Sequence, residues 1–274
     1  MSDHKREIDF LRQEIARIDG ELLGALERRA RAARGIGELR KDEPAALPLA
    51  ERASVHALID GASGEMPAES LREIFREVLA ACIALEMPAK VVYLGPENGP
   101  GHLLARSHFG ASATYIAAES TALALEEVVR HRASYALLPY ETQAEGPVHA
   151  TIAALASSDL RIVAVIEAST NRTERMRYAI VGTRPSSKTG EDATGVVFSV
   201  RDTPGALLDV LKSFAERSIN MTKIQSRPVE ADGWSYLFFV EVAGHATDRA
   251  LITAFEDVKR LTKFFKVLGS YPVR

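Results

Sequence analysis

The stretch that decides the fold of the first third of the chain is LRQEIARIDGELLGALERRA, residues 11–30. Its apolar residues and their neighbours recur at alternating spacings of three and four, the pattern of a helix with one buried face. They are Ile8, Leu11, Ile15, Ile18, Leu22 and Ala25, continued by Ala32, Ile36 and Leu39. The pattern predicts one helix over about residues 5–41. That length is about three times the mean and indicates packing against a partner helix.

Two shorter helices are predicted after the long one. Pro44 and Pro48 end the first helix, a second is expected over 50–60, and a third over 67–86 carries apolar residues on one stripe. Three helices, one of them very long, cannot close a core alone. The sequence therefore predicts an all-helical domain that forms an intertwined dimer.

The pattern changes at Pro88, where strands begin to alternate with helices. Such alternation favours a mostly parallel α/β sheet that is covered on both faces, although only about 95 residues are available for it. The predicted strands are 91–95, 112–117, 135–139, 162–168 and 178–182, and the predicted helices are 101–109, 120–131 and 148–156.

The C-terminal part follows a polar segment, residues 183–193, that is typical of a linker. The order of elements after it is βαββαβ, which is ferredoxin-like. We expect strands at 195–200, 219–227, 234–242 and 264–268, and helices at 204–217 and 247–262. Pro204 is expected to be the first residue of its helix.

Composition excludes several classes of protein. The chain is 46% hydrophobic and 26% charged with a net charge of −3, which argues against a disordered chain and against a nucleic-acid partner. It has no apolar stretch long enough to span a membrane and no apolar signal core at its N-terminus. The single Cys82 cannot form an internal disulfide. The histidines lack metal-ligand spacing. We therefore expect a cytoplasmic protein without a metal or a cofactor.

Charged residues interrupt the apolar stripes of the helices. Arg29 occupies an apolar position of the first helix, and Arg40 lies eleven residues further along the same face. Arg12 lies about a quarter turn away and can point towards a second chain. Glu86 lies on the stripe of the third helix, four residues after Cys82. Buried charges need partners, so Arg29 and Glu86 either pair, reach solvent, or bind a small dianion whose carboxylates suit arginine.

Several segments resemble the bifunctional chorismate mutase–prephenate dehydratase family. They are the opening stretch of residues 11–30, GELRK, IFREVLAACIALEMP and the KVVYLGPE that follows it soon after. The tail segments GALLDVLKSFAERSINMTKIQSRP and FKVLGSYP are similar to the phenylalanine-sensing ACT domain that ends that enzyme. The resemblance implies a mutase domain over 1–88, a dehydratase-like domain over 89–182, and a linker with the ACT domain over 183–274.

For the mutase domain, the resemblance implies a cationic site inside a helical dimer. Arg12 would come from the neighbouring chain, and Arg29 and Arg52 would help to bind the two carboxylates of chorismate. Arg40 and a protonated Glu86 would face the breaking ether bond. Two positions depart from the family pattern: Ala53 replaces an acidic residue that holds the ring hydroxyl, and Leu49 replaces an aspartate.

The dehydratase-like domain departs further from its family. GPENGPG, residues 95–101, replaces GPEGTFS, and Thr142 and Gln143 replace an Asn-Ser pair. Met176 takes the place of the catalytic threonine, and methionine cannot transfer a proton. About a hundred residues, one of the two lobes, are missing between Ala168 and Tyr178. We expect no substrate cleft and no dehydratase activity.

The ACT domain keeps the segments that bind phenylalanine between paired domains of the family. The matching residues are Gly205, Ala206, Leu207, Asn220, Met221, Gln225, Ser226, Arg227 and Pro228, with Gln225 in place of a glutamate. A homodimer or a dimer of dimers is expected. Alternatively, Gly205 and Asn220 serve only their turns.

The leading functional hypothesis is a chorismate mutase with an inactive dehydratase lobe and a phenylalanine-responsive ACT domain. Two alternatives stay open. One is a non-catalytic protein that senses an amino acid, and the other is a mutase that acts on an analogue of chorismate.

Overall fold

The structure, a computed structural model, describes residues 3–39, 49–86, 88–144, 146–171, 174–201, 203–229 and 235–273. The chain divides into two compact units. The first contains the N-terminal helices and residues His108–Thr114, and the second contains both β-sheets. Arg40 lies outside the described residues, as do the side chains of residues 49–53.

The first unit is built on three helices, as expected. They are α1 (Asp3–Leu39), α2 (Leu49–Asp60) and α3 (Ala68–Glu86). With 37 residues, α1 is about 55 Å long. Helix α3 packs against both α1 and α2, and the buried residues of the three helices are Ala33 of α1, Ile59 of α2, and Leu79, Ala80 and Cys82 of α3. The predicted packing role of Cys82 agrees with its burial.

The N-terminal two thirds of α1 carry apolar side chains that the single chain leaves exposed. Their exposed fractions lie between 55% and 62% for Phe10, Leu11, Ile15, Leu22 and Leu23. The sequence places these residues on or beside the predicted apolar stripe. Ile36 and Leu39 near the C-terminal end of the stripe are exposed as well, so a single chain leaves the predicted stripe largely uncovered.

The first sheet of the second unit has the strand order β2-β1-β3-β6-β5, with the short β4 beside β3. Its elements are β1 (Lys90–Leu94), α4 (Pro100–Phe109), β2 (Thr114–Ala118), α5 (Thr121–Val129), β3 (Tyr135–Thr142), β4 (Gly146–Pro147), α6 (His149–Ala156), β5 (Arg161–Asn171) and β6 (Glu174–Gly182). We call this sheet with its helices the dehydratase-like lobe.

The expectation of a mostly parallel sheet is wrong. Strands β1 and β3 are parallel, but β6 runs antiparallel to both β3 and β5. The reason is the short connection: only residues 172–173 join β5 to β6, and so few residues cannot form the crossover that parallel neighbours need. The sheet is mixed, and its last two strands form a hairpin.

The second sheet confirms the βαββαβ prediction. Its elements are β7 (Asp192–Ser199), α7 (Ala206–Ala215), β8 (Met221–Val229), β9 (Ser235–Ala243), α8 (Arg249–Leu261) and β10 (Phe264–Pro272), and its strand order is β10-β7-β9-β8. Helix α7 begins at Ala206 rather than at Pro204. Gly205 caps the helix with a φ of +85°, a conformation that glycine adopts without a steric penalty.

Both faces of the second sheet contribute residues to a buried core. One face packs against α7 and α8, where Phe198, Phe214 and Val240 share a core. The other face contributes Phe239 and Leu268 to the core of the dehydratase-like lobe. At Gly269 a Cβ atom would lie 2.1 Å from the carbonyl oxygen of Ile162, so β10 approaches β5 as closely as backbones can.

Candidate functional site

The arginines of α1 that the sequence assigns to a mutase site differ in their surroundings. The side chain of Arg12 is 75% exposed, and its guanidinium lies 3.6 Å from the carboxylate of Asp9. Arg29 is half-buried, and it forms no ion pair with a carboxylate of the described residues. The alternative of a structural Arg29–Glu86 ion pair is therefore not seen.

Glu86 is the last residue of α3 and lies against α1. A Cβ atom at Gly37 would be 2.5 Å from the carbonyl oxygen of Glu86 and 2.8 Å from its Cα. Gly37 lies eight residues beyond Arg29, about 12 Å along the helix. Glu86 is half-buried there. The structure thus brings the predicted acid beside α1, in the interval between Arg29 and the position of Arg40.

Arg52 and Ala53 lie in α2, and Leu49 is its first residue. Arg40 follows the end of α1. Because the side chains of all four residues are outside the described part of the chain, their roles remain sequence predictions.

A second group of charges lies inside the second unit. Glu141 on β3 and Arg177 on β6 are cross-strand neighbours, and the Arg177 Nη1 donates to the Glu141 Oε2 at 2.8 Å. The same Nη1 lies 3.3 Å from the Oε2 of Glu241 on β9. Lys223 on β8 forms an ion pair with Glu141. Charges from the dehydratase-like lobe and from the second sheet therefore neutralise each other.

Hydroxyl groups complete this buried network. Tyr271 donates to the Oε2 of Glu241 and lies 3.2 Å from the Tyr140 hydroxyl, and the Thr222 hydroxyl donates to the Oε1 of Glu241 at 3.0 Å. Burial by itself raises the pKa of Glu241, but the Tyr271 hydrogen bond and the charge of Arg177 outweigh it, so the pKa is lowered. Glu241 therefore stays ionised at neutral pH.

The network has a consequence for chemistry at the dehydratase-like lobe. Glu141 and Arg177 belong to PYETQAEG and RMRYAIVG, the segments that match the family's substrate-binding and catalytic motifs. The Arg177 guanidinium already forms ion pairs with the carboxylates of Glu141 and Glu241. The neighbouring residue, Met176, has no proton to transfer. Arg177, Glu141 and Glu241 therefore form one ion-paired group at this position.

A cavity of about 150 Å³ opens beside the start of α7. The predicted effector residues Ala206 and Leu207 line it. The other lining residues were not predicted from the sequence: they are Val200, Arg201, Thr203, Tyr236 and Phe238. The alternating aromatic residues Tyr236 and Phe238 of β9 were the available signal, because alternate residues of a strand share one face.

None of the remaining predicted effector residues lines this cavity. Gln225 and Arg227 of β8 line a different groove, together with Pro147, His149, Ile152, Leu237 and Phe239. Ser226 and Pro228 are exposed, Asn220 is exposed before β8, and Met221 packs against the core beneath α7 and α8. Successive residues of a strand point to opposite faces, so one chain cannot place Gln225 and Ser226 on the same side.

The described residues show neither a metal centre nor a membrane helix. Among them, no group of three His, Cys, Asp or Glu side chains could hold a metal ion. No described helix is both long enough and apolar enough to cross a membrane.

Comparison with known families divides the chain into three matches. Residues 11–87 match the family described as chorismate mutase type II, residues 91–173 match prephenate dehydratase, and residues 194–260 match the ACT domain. The dehydratase match is short. It ends at residue 173, between the end of β5 and the start of β6.

Known relatives match the chain from end to end. The bifunctional chorismate mutase/prephenate dehydratase of Aquifex aeolicus is 30% identical over 354 residues, covering 97% of this chain and 98% of the relative. The enzyme of the same name from Neisseria gonorrhoeae is 27% identical, covering 95% of this chain and 96% of the relative. Since this chain has only 274 residues, it is shorter than the relatives that it matches throughout.

Solved structures agree with this comparison. The X-ray structure of prephenate dehydratase from Streptococcus mutans is 27% identical with a TM-score of 0.58, covering 67% of this chain and 97% of that one. The order of the three matched parts is the order in the bifunctional relatives, and a short dehydratase part lies between the other two. The chain belongs to the bifunctional chorismate mutase/prephenate dehydratase family, with a truncated dehydratase domain.

Proposed function

We propose that this protein is a chorismate mutase, converting chorismate to prephenate on the route to aromatic amino acids. The observation that carries the proposal is Arg29, a half-buried cation without an ion-pair partner among the described residues, on the helix that also contacts Glu86. A half-buried guanidinium is suited to a carboxylate ligand. The match of residues 11–87 to the mutase family supports the same assignment.

The reaction is an intramolecular rearrangement in which one C–O bond breaks as one C–C bond forms. It needs no nucleophile, metal or cofactor, so the protein acts by restraining the substrate and stabilising charge. Arg29 and Arg52 of one chain and Arg12 of the other bind the carboxylates. Arg40 and a protonated Glu86 donate to the ether oxygen, where negative charge develops.

The mutase site is completed by a second copy of the chain. The exposed apolar residues of α1 extend over its N-terminal two thirds, and Arg12 lies within the same stretch with most of its side chain exposed. Exposed apolar patches of this kind mark protein interfaces. A second α1 packed along this stretch would bury it and bring its Arg12 to the site. Pairing of the second sheets would convert such dimers into dimers of dimers.

The dehydratase-like lobe is proposed to be catalytically inactive and to serve as a structural base for the second sheet. Its motif residues Glu141 and Arg177 are occupied by ion pairs with each other and with Lys223 and Glu241 of that sheet. Met176 cannot supply a proton, and the hairpin β5–β6 stands where the family's second lobe would be inserted.

The second sheet with its two helices is proposed to bind phenylalanine as an effector. The cavity beside Gly205 is lined by apolar and aromatic side chains with Arg201 and Thr203 at its polar side. A volume of about 150 Å³ is the size of an apolar cavity that binds benzene, so one phenyl ring fits. Arg201 is then available for the carboxylate of the amino acid.

A cytoplasmic location is part of the proposal. Cys82 is a free thiol buried in the first unit, and the chain contains no second cysteine with which it could pair. That usage suits a reducing compartment.

Incubation of the purified protein with chorismate tests the mutase proposal. We expect loss of the ultraviolet absorbance of chorismate and formation of prephenate, with no phenylpyruvate. Absence of turnover would refute the mutase and leave the amino-acid sensor. Turnover of a ring-substituted chorismate but not of chorismate would indicate the specialised mutase, a reading that Ala53 and Leu49 favour. Formation of phenylpyruvate would contradict the inactive lobe.

Thermal unfolding with phenylalanine tests the effector site. Ligand present at a hundred times its dissociation constant stabilises a protein by about 2.7 kcal/mol, so we expect a rise in Tm. Ala206→Phe fills the cavity and should remove that rise. Ala215→Phe is the matched control, since Ala215 is exposed at the other end of α7. An equal rise in Ala206→Phe would place the ligand elsewhere.

A further inference from the structure

Gly37 of α1 lies directly against the backbone at the end of α3. A Cβ atom there would lie 2.5 Å from the carbonyl oxygen of Glu86, 2.8 Å from its Cα and 3.0 Å from its carbonyl carbon. All three neighbours are backbone atoms. They cannot rotate away as the end of a side chain could, so any residue larger than glycine must move the backbone at Glu86.

The position of this contact matters because Glu86 ends its helix. The last residues of a helix lack partners for their carbonyl groups, and the backbone there is held less firmly than in the helix interior. Contact with α1 fixes it instead. Gly37 lies about two turns beyond Arg29 along α1, so the same contact sets the distance from Glu86 to Arg29.

The other glycines of α1 show that this closeness is particular to residue 37. Gly35, two residues earlier, and Gly20 have no atom within 4 Å of a Cβ built on them. Glycine is unfavourable in a helix interior by about 1 kcal/mol relative to alanine. At Gly37 the low helix propensity of glycine is offset by the close contact with the Glu86 backbone.

We propose that Gly37 is a positioning residue for the rearrangement: it holds the Glu86 backbone against α1, so that the Glu86 carboxyl group reaches the ether oxygen of chorismate. The inference rests on the proposed mutase function. It adds a residue that contacts no substrate atom and acts only through the location of Glu86.

Gly37→Ala and Gly35→Ala form a matched pair for the test. Both gain the same helix propensity, but only the first displaces Glu86. A displacement of about 1 Å can cost on the order of 10²-fold in rate, so we expect kcat to fall to that extent in Gly37→Ala while KM changes by no more than about twofold. Gly35→Ala should match the wild type. Equal kcat in the two variants would overturn the proposal.

The same substitution in a Glu86→Ala background separates positioning from general damage to the fold. If Gly37 acts through Glu86, adding Gly37→Ala to Glu86→Ala should change kcat by less than about twofold. An undiminished loss in that background would show that Gly37 acts by another route and would refute the proposal. Inactive wild-type protein would refute the proposed function itself, and the positioning role with it.

Glu86→Asp covers the case in which Gly37→Ala does not fold. The shorter side chain leaves the helix contact intact but withdraws the carboxyl group by one methylene. With the backbone held by Gly37, we expect kcat to fall on the order of 10²-fold as well. Full activity of Glu86→Asp would mean that the backbone adjusts freely, which contradicts the proposal.

Discussion

The two units of this protein differ in the ion pairing of their arginines and in the burial of their apolar side chains. In the first unit, Arg29 is half-buried without an ion-pair partner among the described residues, and much of the apolar stripe of α1 is exposed. In the second unit, Arg177 is paired with Glu141 and Glu241, and the sheets share buried cores. Both arginines come from motifs of the same enzyme family.

The difference shows which of the two arginines has carboxylate partners among the described residues and which does not. A cation that lacks a protein partner remains available to a ligand, and an exposed apolar face remains available to a second chain. A cation that has acquired two carboxylates becomes part of the structure. We propose that a second chain completes the first unit, whereas Arg177, Glu141 and Glu241 of the second unit already pair with one another.

The largest effect is expected from a substitution that prevents the proposed pairing of two chains along α1. Leu22→Asp puts a charge into the exposed apolar stripe of α1, where Leu22 is 58% exposed. We expect the intertwined dimer to dissociate and mutase turnover to be lost, because a charge buried in an apolar interface is strongly unfavourable. Sedimentation velocity measures the association state. Ile252→Asp, at a similarly exposed apolar residue of α8, should keep both. A Leu22→Asp protein that remains associated and active would refute the interface.

Arg29→Ala tests whether the Arg29 guanidinium binds the negative charge of the substrate. Loss of one group that stabilises developing or bound negative charge costs about 10²–10³-fold in rate, and we expect a fall of that size in kcat/KM. Stability should change little because Arg29 has no ion pair with the described residues that the substitution could break. Arg34→Ala, an exposed arginine on the same helix, is the control. Unchanged activity in Arg29→Ala would mean that the Arg29 guanidinium does not bind the substrate.

Gly269→Ala tests how closely the two sheets of the second unit pack against each other. A Cβ at this position would lie 2.1 Å from the Ile162 carbonyl oxygen and 2.6 Å from the Ile162 nitrogen, at a φ of +151°. Steric overlap and strain should lower the free energy of unfolding by on the order of 3 kcal/mol. Gly190→Ala has positive φ but no neighbour within 4 Å and should lose only about 1–2 kcal/mol. Denaturant unfolding measures both, and equal losses would show that the two sheets are not pressed together at Gly269.

Glu241→Gln gives the smallest effect, on stability and its pH dependence. Removing the charge beside Arg177 should cost about 2 kcal/mol at neutral pH. The pKa of Glu241 is lowered in the folded state from its ordinary value of 4.5, so its contribution is present above about pH 4.5 and is lost as the pH falls through the lower, folded value. The wild type should lose more stability on acidification than the variant. Glu256→Gln, an exposed glutamate of α8, should follow the wild type, and a variant with the wild-type acid dependence would contradict the role of Glu241.

Much of the local structure could be predicted from the sequence. The spacing of apolar residues in residues 11–30 predicted α1, and the order of the last elements predicted the βαββαβ sheet, because both patterns arise from neighbours close in the chain. The direction of β6 was predicted wrongly. Alternating strands and helices favour parallel pairing, but the two-residue connection from β5 allows only the antiparallel one.

The partners of charged residues were not predictable in the same way. Glu241 stands out as a charge within the apolar strand SYLFFVEVA, yet its contact with Arg177 joins residues 64 positions apart. The closeness of Gly37 to Glu86 joins residues on two different helices. No periodicity in the sequence carries this information, because it depends on how elements pack.

The sequence by itself determined the three-part organisation, the elements of each part and the residue types that a mutase or an effector site requires. Tertiary structure decided which of those charges remain available. Arg29 and Arg177 are alike as side chains, but within the part of the chain that the structure describes, packing supplied carboxylates to Arg177 and not to Arg29. The physical reason is that the residue type alone fixes the charge of a side chain. Whether that charge can bind a ligand depends on the neighbours that folding brings from distant parts of the chain.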